Sequence, residues 1–293
     1  MPESRVQHID SLLSWLIEQH SSTEAVFFDI DGTLIRGHDH LPGARELLAW
    51  LDECRIPYLL LTNDANHSHE QKAAKLRRAG LEIPPAHIVS SGDVLAEIAS
   101  ERSLTGKRFF VMGELGRPNY AELAGLAVTR DRAELPECEG VIVGEENYDW
   151  EPTFNAVINY FIKKPAAPFI VPNPDSYWPN RGPGISIGAG GAARFVCSIL
   201  DAYGVKVEPL FLGKPFPSVF TYALEVLEST FGVEITKRRR VLMAGDSLSG
   251  DIRGANGAGF TSVLVLTGIT PERALIDGKV DAGSRPDLVA RKL

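Results

Sequence analysis

The most constraining stretch of this sequence is an apolar run that ends abruptly in two acids and a glycine. Residues 25–28 have the composition of a buried strand, and Asp29, Asp31 and Gly32 follow almost at once. Because side chains alternate along a strand, Asp29 and Asp31 begin on the same face, and Gly32 permits a sharp turn beyond them. Open α/β sheets bind ligands at the carboxyl ends of their strands. The stretch therefore predicts two neighbouring carboxylates at the ligand-binding edge of a sheet.

Two neighbouring carboxylates repel each other unless a cation or a shared proton relieves the repulsion. Mg²⁺ suits such a pair, since it binds through one or two carboxylates together with phosphate oxygens. A calcium loop of the EF-hand type is excluded, because the fifth and twelfth positions counted from Asp29 are Thr33 and His40. For this stretch taken alone, an ordinary acidic turn remains the alternative.

Composition narrows the class of protein. The 293 residues are enough for two domains, and a net charge of −8 argues against a nucleic-acid partner. The three cysteines, Cys54, Cys138 and Cys197, have no metal-binding spacing and fit a reducing compartment. No apolar segment has the length of a membrane span, and no signal-peptide pattern begins the chain. We therefore expect a cytoplasmic protein with no membrane partner.

Three further apolar runs end in polar residues in the same way. Residues 58–61 are followed by Thr62 and Asn63, residues 210–212 by Lys214, and residues 240–244 by Asp246 and Asp251. Each run precedes a predicted helix, and strand–helix alternation indicates a parallel sheet. Because all carboxyl ends of a parallel sheet lie on one edge, we expect these side chains to converge. Taken one at a time, Lys214 would be read as a solvated side chain and the other polar residues as helix caps. Their occurrence together after several predicted strands is what favours a ligand-binding site.

The remaining segments complete the predicted organisation. Residues 1–24 are expected to form a helical extension, and the core is expected to span 25–100 and 208–293. Residues 101–207 carry their own strand-like runs and are expected to form an inserted α/β domain. Within it, 112–114 (Met-Gly-Glu) and 143–145 (Val-Gly-Glu) echo each other too weakly to define a repeat. The last twenty residues are polar and are expected to be peripheral.

Taken together, these motifs resemble the haloacid dehalogenase superfamily of phosphotransferases. The motifs are Asp29–Ile30–Asp31–Gly32–Thr33, Thr62–Asn63, Lys214, and Gly245–Asp246 with Asp251. The resemblance covers nearly the whole chain from Ala25 to Gly268. It implies an α/β fold, a doubly wound parallel-sheet core with an inserted α/β cap domain of the C2 type.

The resemblance also implies a role for each carboxylate of the core. Asp29 resembles the nucleophile that becomes an aspartyl phosphate, and Asp31 resembles the general acid and base. Mg²⁺ would be held by Asp29, Asp246 and Asp31, the last through its carbonyl, with Asp251 supporting that shell.

The remaining motif residues are implied to bind the phosphate or to support the site. Thr62 and Lys214 resemble the phosphate clamp, with Asn63 beside them as a further substrate-binding residue, and Thr33 belongs to the surrounding shell. An acid at position 31 points to a phosphatase or mutase, because the dehalogenase branch has no acid there and the ATPase branch has a threonine.

The cap resembles that of the NagD-like, class IIA phosphatases. The segments carrying this likeness are 141–144, Asn173–Pro174–Asp175 and 211–215. Asp175 and Trp178 are predicted to bind substrate, with Tyr177 and Trp178 stacking on a ring and Arg181 binding a second anion. Packing of both aromatic side chains inside the protein is the equal alternative.

The expected function is Mg²⁺-dependent hydrolysis of small phosphorylated metabolites. The substrate classes implied are a sugar phosphate, a nucleotide monophosphate, pyridoxal phosphate or phosphoglycolate. A phosphotransferase or phosphomutase using the same Asp29 chemistry is the alternative enzyme, and a non-catalytic binding protein on the same fold is the alternative outside enzymes. A homodimer formed through the cap is a further expectation.

Overall fold

The computed structural model describes residues 6–179, 184–276 and 280–293. The chain divides into two compact units. The first takes in Met1–Thr62, His69–Val89 and Lys214–Leu293, and the second takes in Asn63–Ser68 and Ser90–Gly213. None of the described helices is both long and apolar enough to cross a membrane.

The strands, numbered in chain order, are β1 (Gln7–Ser11), β2 (Ala25–Phe28), β3 (Ile35–Arg36), β4 (Asp39–His40), β5 (Tyr58–Thr62), β6 (Ile88–Ser90), β7 (Arg108–Met112), β8 (Ala127–Thr129), β9 (Gly140–Val143), β10 (Phe169–Val171), β11 (Tyr177–Pro179), β12 (Ile185–Ile187), β13 (Leu210–Phe211), β14 (Val241–Gly245), β15 (Thr261–Val265) and β16 (Leu288–Lys292). The helices are α1 (Leu12–Gln19), α2 (Ala44–Cys54), α3 (His69–Arg78), α4 (Val94–Glu101), α5 (Tyr120–Leu123), α6 (Trp150–Lys163), α7 (Ala189–Tyr203), α8 (Pro217–Phe231), α9 (Arg253–Ala258) and α10 (Arg273–Ile276).

The first unit is built on a seven-stranded sheet with the order β1-β16-β15-β14-β2-β5-β6. Along the sheet, from β1 at its edge to β5, each strand is parallel to its neighbour. Every residue of β2 is buried, as expected for a parallel strand covered on both faces. On one face Phe28 joins a core with Leu47 and Leu51 of α2, and on the other Phe27 meets Phe260 edge to face. The predicted doubly wound α/β core is confirmed.

Both ends of the chain differ from the prediction. The segment expected to be a helical extension does contain a helix, α1 at Leu12–Gln19, but residues 7–11 before it form the strand β1. The last residues were expected to be peripheral, but β16 lies between β1 and β15, with Leu288 and Val289 buried. The strands β1 and β16 pair in parallel, with Gln7 opposite Leu288. Their structure depends on that distant pairing, which local sequence patterns do not show.

The second unit is built on a five-stranded sheet with the order β13-β10-β9-β7-β8 and parallel pairings throughout. The strand-like runs predicted within 101–207 are found as β7, β8, β9 and β10. Helices α6 and α7 bury Phe154, Phe161 and Val196 against the sheet. A separate antiparallel hairpin joins β11 to β12.

One strand belongs to a different sheet from the one predicted. Residues 210–212 were expected to form a strand of the core sheet. The strand found there, β13, pairs instead with β10 in the second unit. Because β13 has only two half-buried residues, its own pattern does not reveal its partner. The division between the units accordingly falls at Gly213/Lys214 and at Val89/Ser90, rather than at the predicted 207/208 and 100/101.

Candidate active site

Lys214 is the centre of a buried charged cluster in the first unit. Its ammonium donates hydrogen bonds to Oδ1 of Asp29 and Oδ1 of Asp251, each at 2.7 Å, and to the carbonyl of Leu61 at 2.8 Å. The side chain is only 4% exposed. A lysine in this position is not the solvated residue that its sequence context alone would allow.

Asp29 is positioned by the sheet itself. It follows β2 directly, and its amide donates to the carbonyl of Ala244 on the neighbouring β14 at 2.9 Å. The hydroxyl of Thr33, which is fully buried, lies 3.5 Å from Oδ2 of Asp29. The supporting role of Thr33 stays a prediction.

The glycine after the two acids is required by its surroundings. Gly32 has a φ of +87°, in the left-handed region. A Cβ at this position would lie 2.1 Å from Oδ2 of Asp246. Any other residue would therefore displace the Asp246 carboxylate from its place beside the loop.

Asp246 and Asp251 follow β14, and backbone amides hold both carboxylates. Oδ2 of Asp246 accepts from the amide of Ile269 at 2.7 Å. Asp251 lies on a π-helical turn, Leu248–Ile252, and its Oδ2 accepts from the amide of Ser247 at 3.0 Å. Because its Oδ1 meets Lys214, both oxygens of Asp251 are engaged by donors, which suits a supporting residue better than a direct ligand.

The electrostatics of this cluster favour a bound cation. Ligand oxygens of Asp29, Asp246 and Asp251 lie within 4.8 Å of one another. Burial raises the pKa of Asp29, although Lys214 opposes it, and burial together with Asp251 raises the pKa of Asp246 to about 7. Burial alone would lower the pKa of Lys214, but Asp251 and Asp29 raise it. Three carboxylates, of which Asp246 and Asp251 are buried and Asp29 is partly buried, thus face one ammonium, and a divalent cation would neutralise the remaining negative charge. The donor set, all oxygen, fits Mg²⁺.

Asp31 lies outside this carboxylate group. Its two oxygens each accept from the ammonium of Lys75 on α3 at 2.8 Å, and its side chain is 59% exposed. The side chain is therefore not among the clustered metal ligands. The predicted roles of its carbonyl in metal binding and of its carboxyl group in proton transfer stay predictions.

Thr62 and Asn63 fall in different units. Thr62 ends β5 and is buried in the first unit. Asn63, the next residue, belongs to the second unit, where its Nδ2 donates to Oδ1 of Asp175 at 3.1 Å. A predicted phosphate-binding residue of the core motif and the predicted substrate-binding acid of the cap are therefore joined directly.

The aromatic pair of the cap occupies the hairpin strand β11. Tyr177 is 57% exposed, so it does not pack inside the protein. Trp178 is half-buried, and its Nε1 has no hydrogen-bond partner among the described residues. Arg181, and Asn180 beside it, lie outside the described residues. The substrate-binding role of Trp178 stays a prediction.

Sequence reasoning missed two residues linked to the predicted site residues: Lys75, which contacts Asp31, and Glu145, which contacts Asn173 two residues before Asp175. Nothing in the pattern of α3 distinguishes Lys75 from a solvated lysine. For Glu145 a signal was present, because 112–114 and 143–145 echo each other. These segments end neighbouring parallel strands, with Met112 opposite Val143, and Glu114 and Glu145 bridge just beyond them.

Comparison with known proteins gives consistent results. A model of the haloacid dehalogenase-like hydrolases matches residues 26–127, and a second model of HAD-like hydrolases matches residues 211–293. An acid sugar phosphatase of Staphylococcus aureus is 30% identical over 249 residues, covering 84% of this chain and 88% of that protein. 

Solved structures show the same likeness over almost the whole chain. NagD of Escherichia coli K-12 is 26% identical with a TM-score of 0.74, covering 92% of this chain and 96% of that one. A possible sugar phosphatase of the HAD superfamily from Cytophaga hutchinsonii is 28% identical with a TM-score of 0.79, covering 98% of both chains. The chain belongs to the haloacid dehalogenase-like hydrolases and, within them, to the NagD-like capped phosphatases, which are phosphoric monoester hydrolases.

Proposed function

We propose that this protein is a Mg²⁺-dependent phosphatase of small phosphorylated metabolites that works through an aspartyl phosphate. The observation that carries the proposal is the buried cluster in which Lys214 joins Asp29 to Asp251, with Asp246 beside them. Phosphoryl transfer needs positioning and charge neutralisation more than covalent assistance, and this cluster supplies a nucleophile beside a fixed positive charge.

The reaction follows from the roles of these residues. An oxygen of Asp29 attacks phosphorus while the bond to the leaving oxygen breaks, and Asp31 gives that oxygen a proton. Asp31 then takes a proton from water as the water oxygen attacks phosphorus; the bond from phosphorus to the Asp29 oxygen breaks, which releases inorganic phosphate and restores the Asp29 carboxylate. Lys214 stabilises the charge on the transferred group in both steps.

Mg²⁺ would be held by Asp29 and Asp246, and by the carbonyl of Asp31. When bound, it neutralises charge on the phosphoryl oxygens. Asp251 keeps its position through Lys214 and the Ser247 amide. The use of a divalent metal is general among phosphatases of this superfamily, and the oxygen donors here favour Mg²⁺.

For the substrate class we infer a sugar phosphate. Two of the relatives described above carry names of sugar phosphatases. The phosphate would be bound by Thr62, Asn63 and Lys214, and Asp175 and Trp178 would contact the part of the substrate that differs between metabolites.

The test is phosphate release from a panel of sugar phosphates, nucleotide monophosphates, pyridoxal phosphate, phosphoglycolate and 4-nitrophenyl phosphate, with Mg²⁺ and with EDTA. We expect Mg²⁺-dependent release, fastest on a sugar phosphate, and none from Asp29→Asn. Full activity in EDTA would contradict the metal. Phosphate moved to a second sugar instead of water would identify a phosphotransferase or mutase, and no turnover of any substrate would favour a binding protein.

We further propose a homodimer formed through the second unit. On α7, Phe195, Ile199 and Tyr203 follow one another at four-residue spacing and so lie along one side of the helix; their side chains are 46%, 41% and 67% exposed. In an antiparallel contact between two copies about a two-fold axis, Phe195 of one copy would face Ile199 of the other.

Sedimentation equilibrium should show a dimer that Ile199→Glu dissociates and that Leu123→Glu, at an exposed apolar residue of α5 in the same unit, leaves intact. A monomeric wild-type protein would refute the proposal.

A further inference from the structure

Glu145 is a buried acid whose charged neighbours are themselves acids. It follows β9 in the second unit and is 8% exposed. The charged groups that face it are those of Asp64, Asp175 and Glu146. The ring of Tyr148 also lies near it, while Glu114, on the adjoining segment, is paired with Arg130. Burying a charged carboxylate among three others is costly, so this environment favours the neutral form of the acid.

The backbone of Glu145 is clamped on both sides, which fixes where its side chain begins. Its amide donates to the carbonyl of Glu114, and its carbonyl accepts from the amide of Glu114, each at 2.6 Å. The neighbouring Gly144 approaches the same strand so closely that a Cβ would lie 2.0 Å from the Glu114 carbonyl oxygen. The backbone of Glu145 is therefore held in place, which fixes the starting direction of its side chain.

The side chain of Glu145 contacts the loop that contains Asp175. Oε1 of Glu145 accepts from Nδ2 of Asn173, a side chain that is 5% exposed. Oδ1 of Asn173 in turn accepts from the amide of Asp175 at 2.9 Å. The carboxylate of Asp175 accepts from Asn63 at 3.1 Å. The amide of Asn173 is thus used at both ends, and it cannot rotate without breaking its bond to Glu145 or its bond to Asp175.

We propose that Glu145 is a positioning residue for Asp175, acting through the Asn173 amide, and that its neutral form performs this role. The inference rests on the proposed function, in which Asp175 contacts the substrate. A neutral carboxyl group still offers a carbonyl oxygen to Asn173, and it adds no charge beside Asp64, Asp175 and Glu146. An ionised Glu145 would repel Asp175 and loosen the loop that Asn173 holds.

The electrostatics agree with this assignment. Burial, together with Asp64, Asp175 and Glu146, raises the pKa of Glu145 to about 7, although the Asn173 hydrogen bond opposes the shift. A carboxyl group with a raised pKa in the folded state stabilises the fold below its ordinary pKa, and this contribution is lost as the pH rises through about 7. The positioning should therefore weaken between pH 6 and pH 8.

The experiment compares wild type with Glu145→Gln, which keeps an oxygen acceptor for Asn173 but cannot ionise. KM is measured at pH 6 and pH 8 for the fastest sugar phosphate and for 4-nitrophenyl phosphate, which is too small to need Asp175. We expect the sugar-phosphate KM of wild type to rise severalfold more than that of Glu145→Gln, with little difference on 4-nitrophenyl phosphate. Glu145→Ala should raise the sugar-phosphate KM at both pH values, with kcat on 4-nitrophenyl phosphate retained.

The matched control is Glu122→Gln, which removes an exposed acid of α5 in the same unit that is not among the charged groups facing Glu145 and should leave the wild-type pH dependence in place. Parallel KM changes in wild type and Glu145→Gln, or equal losses on both substrates in Glu145→Ala, would overturn the inference. A second readout is independent of activity: the Tm advantage of Glu145→Gln over wild type should be larger at pH 8 than at pH 6. Equal advantages would refute it even if 4-nitrophenyl phosphate were not hydrolysed, a result that would separately refute the proposed function.

Discussion

Lys214 and Asp29 lie 185 residues apart in the chain, yet Nζ of one is 2.7 Å from Oδ1 of the other. The same ammonium bridges to Asp251, so one lysine holds two buried acids in place. Removing one partner of a buried ion pair leaves the other charge uncompensated. The arrangement therefore couples stability to catalysis at a single residue.

Replacing Lys214 should affect both properties. We expect Lys214→Ala to lower the free energy of unfolding by about 3–5 kcal/mol when measured with denaturant in EDTA. It should also lower kcat by a factor on the order of 100–1,000, as loss of other preorganised charge stabilisers does. Lys214→Arg should rescue poorly, because a planar guanidinium does not replace a compact ammonium. An unchanged free energy of unfolding and an unchanged kcat/KM would show that the contacts of Lys214 contribute neither to stability nor to catalysis.

Asp29→Asn should abolish turnover while preserving the fold. The substitution removes the attacking oxygen but keeps the shape of the side chain and an acceptor for Lys214. We expect no phosphorylated protein after rapid quenching with 4-nitrophenyl phosphate, with far-ultraviolet circular dichroism unchanged.

Asp31→Asn is the matched control, because it changes a carboxyl group two residues away. The nitrophenolate leaving group needs no proton, so this variant should still become phosphorylated and should accumulate the intermediate. A trapped phosphoryl group in Asp29→Asn would assign the nucleophile elsewhere.

Asp246 should control metal binding. Asp246→Asn removes one anionic ligand, so we expect a higher Mg²⁺ concentration for half-maximal activity and a smaller increase of Tm on adding Mg²⁺. Ca²⁺ should inhibit the wild type, because its longer and looser coordination misplaces the phosphate. The exposed Asp281, paired with Arg253 in the same unit, offers a control: Asp281→Asn should leave the Mg²⁺ response unchanged.

The stabilisation by Mg²⁺ should grow with pH. Burial and Asp251 raise the pKa of Asp246 to about 7, so without metal its contribution to stability is present below the ordinary pKa and is lost as the pH approaches 7. Protons therefore compete with the metal in acid and not in base. We expect a larger Mg²⁺-induced rise of Tm at pH 8 than at pH 5. A pH-independent rise would place the metal away from Asp246.

The core of this site could be predicted because it follows from a rule of sheet geometry. Asp29 and Asp246 come directly after β2 and β14, which are parallel neighbours, so their convergence requires only that both apolar runs be recognised as strands. The position of Lys214 was predicted for a reason that proved wrong, because β13 belongs to the other sheet. A two-residue strand carries too little pattern to identify its partner.

Interactions that depend on distant pairing could not be read from the sequence. The strand β1 forms because β16 lies beside it, and neither segment has a strong pattern of its own. Lys75 has an unremarkable local context, and the weak likeness of 143–145 to 112–114 does not identify a partner for Glu145; only the folded chain brings them to Asp31 and Asn173. Side-chain partners chosen by tertiary contact are the part of the site that local reasoning misses.

The remaining prediction concerns substrate selection by Trp178. The motifs of the core recognise phosphate and metal, which all substrates share, so discrimination must come from other residues. Trp178 lies on the hairpin of the second unit, and its buried indole nitrogen has no partner among the described residues. An unsatisfied donor of this kind is available to a polar group of a substrate, and the ring itself offers a face for stacking.

We expect Trp178→Ala to lower kcat/KM for the preferred metabolite by about tenfold, as loss of one hydrogen bond or ring contact worth about 1.4 kcal/mol would do. Activity on 4-nitrophenyl phosphate should be retained, because that substrate is too small to need Trp178. Trp150→Ala is the matched control, since this second indole of the same unit stacks on Phe154 with ring centroids 4.4 Å apart; it should lower Tm without changing the ratio between the two substrates. Equal losses on both substrates with a lowered Tm in Trp178→Ala would make Trp178 a packing residue.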